Sequence, residues 1–130
     1  KIRNSLISSG STINGAVEDS VIFKDVFVGN NCTTKNSIIL NDVVIGKNCH
    51  IEKSIIDKNT VIGDNSIIGT GDDYTPNKDN AKVLSSGINV IGKKLVLPEG
   101  LVIERNVRIF SSTDTKTITT KHLASGETLK

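Results

Sequence analysis

Apolar and polar positions repeat at a constant interval between Ser20 and Gly69, so that each position recurs at the seventeenth residue after it. Three consecutive segments align in register: SVIFKDVFVGNNCTTKN, SIILNDVVIGKNCHIEK and SIIDKNTVIGDNSIIG. Within the repeat, the large apolar residues stand five or six positions apart, at Ile39, Ile45, Ile51, Ile56, Ile62 and Ile68. This spacing does not fit a helix of about 3.6 residues per turn, and it is too regular for loops. The pattern therefore favours very short strands separated by turns.

Three strand-and-turn steps return the chain to its starting direction, which predicts an all-β, single-stranded parallel β-helix built from hexapeptide repeats. Equivalent residues then stack about 4.8 Å apart, and a buried ladder such as Ile22, Ile39 and Ile56 contributes about 1.5–3 kcal/mol per member. We expect the Gly and Asn columns at the turns, where both residues tolerate positive φ: Gly29, Gly46, Gly63, Asn31, Asn48 and Asn65. Hexapeptide solenoids are left-handed as a class, so resemblance to that class implies a left-handed helix.

Two features depart from the repeat. The interval from Ser5 to Ser20 is two residues shorter than the later intervals, which predicts a tight corner or a deletion near Gly15. Thr34 is polar in a column that otherwise holds Ile51 and Ile68, and we expect it near a corner.

The repeats stop at Gly69 and resume at Val90. The intervening segment, TGDDYTPNKDNAKVLSSGIN, predicts an excursion loop at about 70–89, and loops of this length are usually functional or disordered. Asp72, Asp73 and Tyr74 are its functional candidates; the alternative is a surface excursion that packs on the wall of the solenoid. The β-helix domain is predicted over 1–110, and residues 111–130 are predicted to form a capping tail with one or two strands.

Composition excludes several classes of function. The chain has 16 basic and 14 acidic residues, so no charge pattern indicates nucleic acid or an anionic membrane as a partner. Aromatic residues make up only 3%, which argues against stacking on nucleic-acid bases. No apolar run approaches a membrane span, and no signal peptide is visible, so a cytoplasmic protein is expected. Because Lys1 opens the chain in mid-pattern, we expect a piece of a longer protein.

Candidate chemistry is sparse. Cys32 and Cys49 share one column within disulfide range, but two small inward side chains are the better interpretation. The column of Asp25, Asp42 and Asn59 fits turn residues better than a general acid pair. The sequence has no phosphate-binding glycine loop and no G-x-S-x-G elbow, and two scattered histidines and two cysteines do not make a zinc site. We therefore assign no catalytic residue, no metal ligand and no cofactor to this chain.

Two alternatives remain open. His50 is the one histidine of the regular repeats, and hexapeptide acyltransferases use a histidine as general base in a groove between neighbouring solenoids. The basic residues of the turns could bind inorganic phosphate or a sugar phosphate, or they could simply be solvated surface cations. These residues are Lys47, Lys53, Lys58, Arg105 and Arg108.

The combination of SVIF, VGNNC and GTGDDYTPN, with SGINVIGKKLVLPEGLVIERNVRI and a closing SGET, resembles the C-terminal domain of bacterial glucose-1-phosphate adenylyltransferases. The resemblance covers nearly the whole chain. It implies a regulatory and oligomerisation domain of a nucleotidyltransferase that makes ADP-glucose for glycogen synthesis, with ATP and Mg used only by the parent enzyme. It also implies packing on a catalytic domain of the same chain and assembly into a homo-oligomer, or a hetero-oligomer with a paralogous subunit.

In the IGKNC motif, Lys47 stands where some relatives carry a basic residue implicated in the response to sugar-phosphate effectors. A domain of a related, non-catalytic regulatory subunit fits the same residues.

Overall fold

The computed structural model describes all residues, 1–130, as short strands joined by turns, with a single 3₁₀ helix, η1 (Thr115–Thr117). The strands, in chain order, are β1 (Ile2–Arg3), β2 (Leu6–Ile7), β3 (Thr12–Ile13), β4 (Ala16–Glu18), β5 (Val21–Ile22), β6 (Phe27–Val28), β7 (Thr33–Lys35), β8 (Ile38–Ile39), β9 (Val44–Ile45), β10 (His50–Glu52), β11 (Ser54–Ile56), β12 (Val61–Ile62), β13 (Ile67–Ile68), β14 (Asn89–Ile91), β15 (Val102–Ile103), β16 (Arg108–Ile109), β17 (His122–Leu123) and β18 (Thr128–Leu129).

The strands form three parallel sheets, which are the three walls of the solenoid. The first wall is β1-β4-β7-β10-β13-β15-β17, the second is β2-β5-β8-β11-β14-β16-β18, and the third is β3-β6-β9-β12. A bridge between Val61 and Val96 extends the third wall. We call one passage of the chain along the three walls a coil. The first wall has seven strands, so the solenoid has seven coils. The architecture is that of a left-handed hexapeptide β-helix, as predicted.

The predicted ladders are present in the predicted register. Ile22 pairs with Ile39, and Ile39 pairs with Ile56, each one full repeat further along the chain. These side chains point inward and are fully buried. They belong to one core of 21 buried apolar residues that runs along the solenoid axis. The repeated burial of Ile, Val and Leu, rather than local strand propensity, therefore stabilises strands of only two or three residues.

The short first coil has the predicted cause. Ala16 pairs with Thr33 at the full repeat interval, whereas Ile13 pairs with Val28 at an interval that is two residues shorter. The two missing residues therefore lie between Ile13 and Ala16, at Gly15. A Cβ atom on Gly15 would lie 2.5 Å from the backbone oxygen of Cys32, so this corner has no room for a side chain.

The Asn and Gly columns both lie at turns, but each residue type is required there for a different structural reason. Asn31, Asn48 and Asn65 adopt φ of 61°, 58° and 60°, and their side-chain amides hydrogen-bond along the column. The preceding glycines do not have positive φ. A Cβ atom on Gly46 would lie 2.9 Å from the backbone nitrogen of Asp64, so glycine is required there because adjacent coils come close together. The expectation that the Gly column supplies positive φ was wrong.

Thr34 does not lie at a corner, and that expectation was also wrong. It is the central residue of β7, pairs with Val17 and Ile51, and points into the core with no exposed surface. Its Oγ1 atom has no hydrogen-bond partner. A hydroxyl therefore occupies a core position that other coils fill with an aliphatic side chain.

The excursion loop leaves the solenoid between β13 and β14. Across this insertion Ile56 pairs with Ile91, and the walls continue in register on both sides of it. The tail also joins the walls, because β17 pairs with β15 and β18 pairs with β16. Ile118, between η1 and β17, packs against the core.

Candidate functional site

The structure places Lys47 on the turn between the third and first walls. Its backbone N–H donates to Asp64 Oδ1 at 2.9 Å, and its side chain is exposed. Two surface cavities are present, and Lys47 lines neither of them. Its assignment as an effector-binding residue stays a prediction.

His50 lies on the outer face of the first wall, in β10. Its Nε2 atom is 3.8 Å from Glu52 Oε1, and 44% of its side chain is exposed. Like Lys47, it lines neither cavity. The structure thus adds no observation that favours the acyltransferase alternative.

Cys32 and Cys49 are both buried and both free. The Cys32 Sγ atom lies 2.8 Å from the backbone oxygen of Gly46, a contact that a neutral thiol makes as a donor. The hydrogen bond with Cys32, together with burial, raises the pKa of the Cys49 thiol. The two side chains therefore serve as small core residues, as predicted.

The acidic start of the excursion loop binds the loop to itself. Asp73 Oδ1 accepts hydrogen bonds from the Thr75 hydroxyl at 2.6 Å and from the Thr75 backbone nitrogen at 3.0 Å. These bonds, with the hydroxyl contributing most, lower the pKa of Asp73. The carboxylate stabilises a local turn rather than facing a cleft.

Tyr74 holds the loop against the solenoid. The Lys53 Nζ atom and the Arg105 Cζ atom lie 5.2 Å and 5.3 Å from the centre of its ring, both within cation–π range. The Arg105 Nε atom donates to the Gly71 oxygen at 3.0 Å. The loop therefore packs along the corner between the first and second walls. This agrees with the interpretation of the loop as a surface excursion that packs on the wall of the solenoid.

Arg105 and Arg108 are close in sequence but lie in different environments. Arg105 is buried at the corner beneath the loop, with Nη2 3.6 Å from Glu52 Oε2. Arg108 lies on the outer face of the second wall, in register with Val90 and Thr128. The structure does not bring the predicted basic residues together into one site.

The outer faces of the walls differ in chemistry. The third wall presents an unbroken apolar column, which we call the third-wall strip: Phe27, Val44, Val61 and Val96. Phe27 is 41% exposed, Val44 40% and Val96 63%. The first wall instead carries charged groups on its outer face, among them Glu18, Lys35 and Glu52.

Sequence reasoning missed a groove on the second wall whose lining includes Gly92, Lys93, Arg108 and Phe110. A signal was available, since Gly92 replaces the large or charged residue that other coils carry after the buried Ile: Phe23, Leu40, Asp57 and Phe110.

No three His, Cys, Asp or Glu side chains converge as a metal site. No helix has the length and hydrophobicity needed to cross a bilayer.

Comparison with known proteins agrees with this architecture. The family model described as "GlmU-like, C-terminal hexapeptide" matches residues 1–91. A glucose-1-phosphate adenylyltransferase of Pseudothermotoga lettingae is 46% identical over 127 residues, which is 98% of this chain. The chain spans only 30% of the length of that relative and corresponds to its C-terminal part. The repeats, the three-walled solenoid and the family match together place the chain in the GlmU-like C-terminal hexapeptide family.

Proposed function

We propose that the chain is the regulatory and assembly domain of a glucose-1-phosphate adenylyltransferase, and that it is non-catalytic by itself. Its 46% identity to the relative over nearly all of its length supports this proposal. The parent enzyme would join ATP and glucose 1-phosphate, with Mg, on a separate nucleotidyltransferase domain. Packing on that domain, and response to a sugar phosphate or to phosphate, belong to the same proposal.

The observation that carries the assembly role is the third-wall strip. Exposed apolar columns on a flat wall favour burial against another surface, at about 25 cal/mol per Å² of apolar area removed from water. The excursion loop covers the corner between the other two walls, so it leaves this wall open.

A second copy of the chain is the partner that the third-wall strip fits. The strip carries no charged side chain and lies straight across neighbouring coils. A two-fold axis between Val44 and Val61 would set Phe27 of one copy against Val96 of the other. Such an isologous pairing is the commonest arrangement in homo-oligomers.

Sedimentation velocity of the 130-residue chain over a range of concentrations tests this role. We expect self-association, and we expect Val44→Lys to abolish it because each copy would bury a charge. The matched control is Thr33→Lys, which adds a lysine to the outer face of the first wall in the same coil and should leave association unchanged. A chain that stays monomeric at high concentration contradicts the assembly role.

The enzymatic part has its own test. The full-length parent protein should form ADP-glucose from ATP and glucose 1-phosphate, whereas the 130-residue chain should not. A parent protein that assembles but has no such activity would identify the domain with the regulatory subunit class instead.

A further inference from the structure

The shortened corner of the first coil consists of Asn14 and Gly15, which join Ile13 of the third wall to Ala16 of the first wall. The corresponding turn of the next coil is two residues longer. No other asparagine of the chain is followed by glycine. This pair is chemically labile, because glycine has no Cβ atom to shield its backbone nitrogen from the asparagine side chain.

The peptide group that joins Asn14 to Gly15 makes no hydrogen bond. Neither the Asn14 backbone oxygen nor the Gly15 nitrogen pairs with another backbone group. The Asn14 side chain is exposed and also lacks a hydrogen-bond partner in the structure. This peptide group can therefore rotate without breaking a hydrogen bond, and the Asn14 side-chain carbonyl is free to approach the Gly15 nitrogen.

The packing of the corner requires glycine after Asn14. A Cβ atom on Gly15 would lie 2.5 Å from the backbone oxygen of Cys32. On either side of the free peptide group the chain is held to the next coil, since the Asn14 N–H donates to the Val28 oxygen at 2.9 Å and the Ala16 N–H to the Cys32 oxygen at 2.8 Å. The same close approach that closes the corner thus leaves the Gly15 nitrogen without a shielding side chain.

The asparagines of the later turns are held differently. The Asn31 amide donates to Asn48 at 2.9 Å, and the Asn48 amide donates to Asn65 at 3.2 Å. Asn65 is followed by Ser66, whose side chain shields the backbone nitrogen that would have to attack. Lability is therefore a property of Asn14 in this fold and is not shared by the ladder of turn asparagines.

We infer that Asn14 is a self-modification site that converts to isoaspartate in the folded chain. The Gly15 backbone nitrogen attacks Asn14 Cγ and forms a C–N bond, while Nδ2 leaves as ammonia with the proton of the Gly15 N–H. Water then opens the resulting succinimide at the main-chain carbonyl, which leaves Gly15 attached through Cγ and frees the α-carboxylate. Opening at Cγ gives aspartate instead. Water is the one co-reactant of the sequence.

Isoaspartate changes the corner in two ways. It lengthens the main chain by a methylene group, and it places a carboxylate where the peptide carbonyl was. Both changes strain the hydrogen bonds from Asn14 to Val28 and from Ala16 to Cys32, so the first coil should hold less firmly to the second. The exposed α-carboxylate is also the group that isoaspartyl methyltransferases recognise, since they transfer a methyl group to it from S-adenosylmethionine. The first coil thereby becomes a substrate for repair enzymes of that class.

Ageing of the folded 130-residue chain at mildly alkaline pH tests the inference. Peptide mapping by mass spectrometry locates the deamidated residues, and an isoaspartyl methyltransferase with labelled S-adenosylmethionine measures isoaspartate. We expect at least about tenfold more product at Asn14 than at Asn65, because Asn65 must first break its amide hydrogen bond. In the aged fraction, hydrogen exchange of the Ala16 N–H should be faster than in the fresh chain.

Asn14→Gln should abolish methyl incorporation, because attack on the longer side chain must close a less favourable ring. The matched control is Asn30→Gln, at an exposed turn position of the next coil without positive φ, which should leave incorporation unchanged. Both substitutions keep an exposed amide, so neither is expected to disturb folding.

Product at Asn14 only after denaturation would show that the folded corner protects the residue, and it would overturn the inference. Equal product at Asn14 and Asn65, or methyl incorporation that persists in Asn14→Gln, would also overturn it. These measurements involve neither association nor formation of ADP-glucose, so their outcome is independent of the proposed function.

Discussion

The side-chain nitrogen of Asn77 donates a hydrogen bond to the backbone oxygen of Asn106 at 3.0 Å, joining the middle of the excursion loop to a later turn of the solenoid. The Asn106 side chain in turn binds the loop: it accepts the Gly87 backbone N–H at 2.7 Å and donates to the backbone oxygens of Tyr74 and Thr75. Both asparagines are fully buried. Two amide side chains thus satisfy several of the backbone groups where the loop meets the corner.

Asn77→Ala should detach the loop. The substitution leaves the buried Asn106 oxygen without this partner, which costs about 1–3 kcal/mol of unfolding free energy. It also removes the acceptor of the Asp79 and Asn80 backbone N–H groups, which lie nearer the surface. Hydrogen exchange should quicken in the loop and remain slow in the ladders. Asn30→Ala, at an exposed turn, serves as the control, and equal exchange in both variants would contradict this role for Asn77.

Thr34→Val should stabilise the protein. It removes a buried hydroxyl that has no partner and places a methyl group in an aliphatic ladder, with an expected gain of about 1–2 kcal/mol in unfolding free energy.

The matched substitution Thr60→Val should destabilise by a similar amount, because the Thr60 hydroxyl donates to Gly92 at 2.7 Å and accepts the Leu95 N–H at 3.3 Å. Denaturant unfolding of both variants measures the difference. If both substitutions changed the unfolding free energy in the same direction, hydrogen bonding of the hydroxyl would not control stability at these core positions.

Acid should loosen the start of the loop. The pKa of Asp73 lies below its ordinary value of 3.8, because the ionised carboxylate accepts the two Thr75 bonds. Its stabilising contribution is therefore present above pH 3.8 and is lost as the pH falls through the lowered pKa.

Tyr74 provides the signal for this transition, since the chain has one tyrosine and no tryptophan. Its fluorescence or ring NMR signals should change below pH 3.8 in the native chain, and that step should be absent in Asp73→Asn. The same acid step in both proteins would assign it to another group.

Lys47→Ala tests the predicted effector-binding residue. Because Lys47 is exposed and lines neither cavity, any effect on the chain by itself should be confined to anion binding and should not reach stability. Calorimetry with fructose 1,6-bisphosphate or inorganic phosphate should show weaker heats than for the native chain. Equal weak heats for both proteins would remove Lys47 from the regulatory proposal.

The sequence by itself determined the repeating part of this protein: three walls, coils of constant length, inward isoleucine ladders, and the shortened corner at Gly15. These features follow from local spacing, because each coil buries its apolar residues against the same positions of the next coil. The column of Asp25, Asp42 and Asn59 was also correctly placed at turns, with φ of 57°, 60° and 58°.

Only the tertiary structure decided how the non-repeating parts meet the solenoid. No local pattern connects Asn77 with Asn106, because this contact joins the loop that interrupts the repeat to a turn of the solenoid. Likewise, spacing in sequence shows that a side chain points outward but not which cations stay unpaired beside it. Arg105 faces a carboxylate beneath the loop and Arg108 faces an open groove, because the solenoid turns from one wall to the next between them.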